Sequence, residues 1–67
     1  MNAPEAWAEL RKLAEQALPN TVVHMEGWWL AVWPFRPMAA KVLAGAIAKV
    51  HPELAEKAAE LARLVKG

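Results

Sequence analysis

Apolar and polar positions along this chain follow two different periods. Over residues 3–18, Ala6, Trp7, Leu10, Leu13, Ala14, Ala17 and Leu18 recur at three- and four-residue intervals, the spacing of one helix face. Glu5, Glu9, Arg11, Lys12, Glu15 and Gln16 fall largely on the other side. Asn2 is placed to cap this helix, with Glu5 three residues on as its reciprocal partner and Pro4 tolerated in the first turn. Glu9 with Lys12 and Arg11 with Glu15 add modest support at i,i+3 and i,i+4. Pro19 pushes Leu18 out of the α region and ends the helix, and Asn20 suits the turn that follows.

The pattern changes at Thr21. From Thr21 to Phe35, TVVHMEGWWLAVWPF, two short runs rich in β-branched and aromatic residues flank Glu26-Gly27, which predicts a hairpin over about 21–33. A three-residue loop, Met25-Glu26-Gly27, needs only its last residue left-handed and suits this sequence better than a two-residue one. Alternation then sets Trp28, Leu30 and Val32 on one face, the expected core side, and Trp29, Ala31 and Trp33 on the other. With the three-residue loop, His24 and Val22 join the core side; with the two-residue loop they join the Trp29 side. On the core side His24 would be desolvated, with its charged form disfavoured, and it is the candidate pH-sensitive group.

Two further helices are predicted. Pro37 opens one that runs to about Val50, with Val42, Leu43, Ala46, Ile47 and Val50 as its main stripe. Lys41 and Lys49 mark its solvent side, and its many small residues permit close helix approach. His51-Pro52 breaks the chain and starts a helix over about 52–66, with Leu54, Ala58, Leu61 and Val65 as its stripe. The fold class read from the pattern is α+β, in the order α-β-β-α-α. A two-stranded antiparallel hairpin would pack on three helices in a single small domain. A lone hairpin is marginal and has two free edges, so completion by a second copy, as a homodimer, is expected, either through an edge strand into a four-stranded sheet or through the apolar face of the helix that Pro37 opens.

Composition sharpens this. At 67 residues with no cysteine, neither a disulfide nor a thiolate zinc site can staple the core, while 57% of residues are hydrophobic; such chains often gain stability by oligomerising. The net charge of +1 gives no field for nucleic acid or an acidic membrane. Ser, Asp, Cys and Tyr are absent and Asn and Gln scarce, which leans toward a heat-adapted, thermostable protein. No basic n-region with an apolar run marks a secretory signal, and the most apolar stretch is too short to span a bilayer. A cytoplasmic location is expected.

Candidate chemistry is sparse. Without Ser or Cys, acyl-transfer triads are excluded, and no catalytic residue or cofactor is expected. His24-Met25-Glu26 and His51-Pro52-Glu53 each set a His two residues before a Glu, yet nothing in the sequence unites them, so no metal site is assigned. The last helix offers Glu53, Glu56, Lys57, Glu60 and Arg63 but no Asn, Gln, Ser or Thr for base edges. Single-strand binding through exposed tryptophans would lack a basic groove beyond Arg36 and Lys41. A carrier of a small apolar ligand would have few polar groups beyond His24 and Arg36. The tryptophans are the main signal: on a strand, Trp29 and Trp33 would stand roughly 13 Å apart with Ala31 as a notch between them. Either the first helix fills that notch through Trp7 or Leu10, or a partner does. The function expected is a non-enzymatic protein-interaction module, of adaptor or inhibitor type, with Trp29, Ala31, Trp33, Phe35 and Arg36 as partner-binding residues. Nucleic-acid binding and apolar-ligand carriage are the alternatives.

Overall fold

Asn2 starts the first helix with a complete capping box. Its side chain accepts from the Glu5 amide at 2.9 Å, and the Glu5 carboxylate accepts from the Asn2 amide at 3.2 Å. The helix, α1, spans Ala3–Ala17 and buries Ala6, Trp7, Leu10, Leu13, Ala14 and Ala17. It ends at Leu18, and the chain turns through Asn20, which takes the left-handed conformation at φ 53°. Such a value suits Asn better than most residues with a β-carbon. In this computed structural model, which describes residues 1–65, every regular element is helical.

The predicted hairpin is absent, and with it the α+β class: there is no strand among the described residues. Val22–His24 forms a 3-10 turn, and Glu26–Val32 forms a two-turn α-helix, α2. A second 3-10 turn, Trp33–Phe35, leads into α3, Arg36–Val50. Gly27 is not left-handed and lies inside α2. The physical reason is backbone accounting. A two-stranded ribbon leaves half its amides and carbonyls without partners. A helix closes its bonds within one segment, as Trp28 does from its amide to the Met25 carbonyl at 3.0 Å. Short apolar runs do not distinguish helix from strand by period, and the aromatic enrichment that favoured strand reflects packing more than backbone preference.

The change of period also redistributes the side chains. On a strand, Trp28, Leu30 and Val32 share a face; on a helix, Trp29, Val32 and Trp33 do. Trp29 is accordingly buried, Trp28 and Val32 are half-buried, and Leu30 is 77% exposed. Of the predicted core face, Trp28 and Val32 still pack against the core, while Leu30 leaves it and Trp29, assigned to the opposite face, enters it.

After α3, Pro52–Leu54 makes a 3-10 turn and α4 runs Ala55–Leu64; the predicted helix end at Lys66 lies outside the described residues. His51 caps α3 by donating its amide to the Ile47 carbonyl at 2.7 Å. Helices α3 and α4 form an antiparallel hairpin, and α1 packs across both. The core joins Leu10 and Leu13 of α1, Ala40, Leu43 and Ile47 of α3, and Ala58 and Leu61 of α4 with Val65. The buried line on α3 is thus 40, 43 and 47. Val42 and Val50, expected in its stripe, are exposed.

Candidate interaction surface

The tryptophans gather where α2 crosses α1. The Trp7 ring meets Trp29 edge-on at 5.4 Å and Trp33 at 6.5 Å, and Trp28 meets Trp29 at 4.9 Å. These are T-shaped contacts that match positive ring edge to negative ring face. The Trp29 indole N–H donates to the Val23 carbonyl, which settles its one polar group inside the core. Arg11 seals the outer side. Its guanidinium lies 5.0 Å from the Trp29 ring centre, donates to Glu15 at 3.0 Å and reaches Glu26 at 3.5 Å. The hydrogen bond to Glu15, and then the Glu26 carboxylate, hold its pKa above the ordinary value against some desolvation. Between these groups lies a small cleft of about 290 Å³, floored by Trp7 and Trp29 with Leu30 and Trp33 at its rim.

The residues expected to bind a partner therefore divide. Trp29 is 3% exposed and fills the core against Trp7 of the first helix, and the strand-face notch between Trp29 and Trp33 does not form, because the segment is helical. Ala31, Trp33 and Phe35 are exposed. Arg36 folds back on Trp33, its guanidinium 4.6 Å over the ring and its Nη1 donating to the Trp33 carbonyl at 3.3 Å. The fold brings Trp33 and Arg36 together as one stacked pair, with Phe35, 64% exposed, beside them in sequence. His24 is exposed, not on a core face, and donates from Nε2 to the Leu18 carbonyl at 2.6 Å. His51 Nδ1 stands 3.5 Å from Glu53. Among the described residues no three His or Glu side chains gather at metal-binding distance.

Sequence reasoning missed three exposed apolar groups, Leu30, Met38 and Val42. Leu30 was expected in the core. Met38 at 69% and Val42 at 67% lie on the outer side of α3. Phe35, Met38 and Val42 are three and four residues apart, the spacing of a helix stripe, which was the signal available. Next to this stripe, α3 and α4 enclose an open groove of about 740 Å³. Pro37, Met38, Lys41, Ala44, Gly45 and Ala48 line it from α3, and Ala55, Ala59, Ala62 and Arg63 from α4.

No helix among the described residues is long and apolar enough to cross a membrane. No protein-family model, curated protein or solved structure matches this chain.

Proposed function

We propose that the chain is a non-catalytic protein-interaction module, of adaptor or inhibitor type, that pairs with a second copy through the corner formed by Leu30, Trp33 and Phe35. The observation that carries this reading is the run of exposed apolar side chains between residues 30 and 42. Leu30, Phe35, Met38 and Val42 are each more than three-fifths exposed, at 77, 64, 69 and 67%. Single exposed hydrophobics are ordinary, whereas several on neighbouring turns of a 67-residue chain mark a contact surface. Covering each one fully is worth roughly 1.5–3 kcal/mol. Arg36, stacked on Trp33, supplies the flat, weakly hydrated cation common at such contacts.

The geometry favours this reading over nucleic-acid binding. Trp7 and Trp29 are buried, so no row of free aromatic faces is available for bases, and the cation nearest Trp33 is already held by it.

The test is thermal unfolding of the wild type, Trp33→Glu and Phe35→Glu, each at two well-separated concentrations. Pairing makes Tm rise with concentration. The wild type should show that rise, and both variants should lose it while keeping their helical circular dichroism. Tm values independent of concentration in all three would refute the reading.

A further inference from the structure

The groove between α3 and α4 is a second surface, on the side of the hairpin away from α1. We propose that it binds an amphipathic helix carrying acidic residues, supplied by a partner protein. Together with the Leu30–Trp33–Phe35 corner this would give the module two contacts, adjoining at Met38, so the inference rests on the interaction reading.

The groove's shape comes from side chains that are missing. Ala44, Gly45 and Ala48 on α3 face Ala55, Ala59 and Ala62 on α4, and small residues let another helix approach closely. Gly45 sharpens the point. It sits in the middle of α3, where glycine costs about 1 kcal/mol relative to alanine. A β-carbon there would meet nothing within 4 Å, so no contact within the chain requires its absence; what it leaves is an open floor. From Pro37 to Ala48 the floor runs about 16 Å at the helical rise, three turns of a docked helix.

Polarity and charge select the occupant. The polar groups in the lining are Lys41 and Arg63, both cationic. In an antiparallel hairpin the start of α3 lies across from the end of α4, so both cations stand toward the same end of the groove. Helix α3 carries Arg36, Lys41 and Lys49 and no acid at all. Arg63 has a neighbour in Glu60 at 2.6 Å, a solvent-exposed i,i+3 pair of the kind that a second carboxylate can share at little cost. A second copy presenting its own α3 would set cation against cation, whereas acidic side chains on a docked helix would meet both lips. Small-molecule sites bury most of their ligand, about 70–90% of its surface. This trough is open along one side, and a helix laid in it is the form that closes it.

The probes are two cross-linked helical peptides with the same alanine-leucine face, one flanked by Glu and one by Lys, together with dodecanoate as a non-helical anionic amphiphile. Each is titrated into isotope-labelled full-length chain and followed by amide chemical shifts. The acidic peptide should bind best and shift Ala44, Gly45, Ala48, Ala59 and Ala62. Lys41→Glu should weaken it roughly three- to tenfold, the range for a rim charge, and improve the basic peptide. Gly45→Leu should fill the floor and abolish binding, with a Tm no lower than wild type to certify the fold. The proposal is overturned if no peptide binds, if the two peptides bind alike, if dodecanoate outcompetes the acidic helix, or if Gly45→Leu binds like wild type. It is also overturned if Gly45→Leu converts a dimer to monomer, which would identify the occupant as a second copy. If instead Trp33→Glu and Phe35→Glu leave the concentration dependence of Tm unchanged, the corner reading fails while the groove titration still reports on its own.

Discussion

Helices α1 and α3 have the same length, fifteen residues, yet they are completed in different ways. Every large apolar side chain of α1 is buried, and its exposed positions are polar apart from Ala8 and Pro4. Helix α3 buries Ala40, Leu43 and Ile47 and leaves Met38, Val42 and Val50 more than half exposed. One helix has a single apolar face, and this chain covers it. The other is apolar around most of its surface, and α1 and α4 cover only part of it. A helix hydrophobic all round is normally enclosed by protein. The contrast therefore places the unfinished part of the molecule on α3 and on the aromatic corner that leads into it.

The comparison can be broken at several points. The largest effect belongs to Trp29, whose ring fills the space between α1 and α2 at 3% exposure. Trp29→Ala should cost about 3–5 kcal/mol and lower Tm steeply in a domain this small, read by thermal or urea unfolding. A Trp29→Ala chain that melts near wild type would mean that α2 is not anchored to α1 as described. Next comes a matched pair across the two helices. Leu10→Ala, at a fully buried position of α1, should cost about 2–5 kcal/mol. Val42→Ala on α3 should change the stability of the single chain by less than about 0.5 kcal/mol. Equal losses at both sites would erase the distinction between a finished and an unfinished helix. Smaller again is the start of α1, where Asn2→Ala removes the cap and should cost about 1 kcal/mol. Gly45→Ala should give a gain of similar size, because the new methyl group has room and the helix propensity improves.

How far these features were legible in the sequence depended on how sharply each segment separates its faces. For α1 the buried set, Ala6 through Leu18, could be read residue by residue, as could the capping box, because polar and apolar positions repeat with one period. In α4 the line Ala58, Leu61 and Val65 was legible for the same reason. On α3 the apolar residues outnumber the places available to bury them, so the pattern could not tell Leu43 from Val42 beside it. Across residues 21–35 the run is short and aromatic, and Glu26 is its one acidic or basic residue apart from His24, too few to set a period. There the backbone's need for internal hydrogen bonds decided for helix, and every face assignment moved with it. Trp33, Phe35 and Arg36 stay at the surface after that change. Trp29 does not, because on a helix it shares a face with Val32 and Trp33, and that face meets Trp7 of α1.

The exposed corner of Leu30, Trp33 and Phe35 ahead of α3 is where a second copy of the chain is proposed to pair. Sedimentation equilibrium on the wild-type protein over a wide concentration range measures this directly. A reversible monomer–dimer equilibrium is expected, with the average mass approaching twice 7.4 kDa at high micromolar concentration and falling back on Phe35→Glu. A wild-type chain that stays at 7.4 kDa throughout would contradict it.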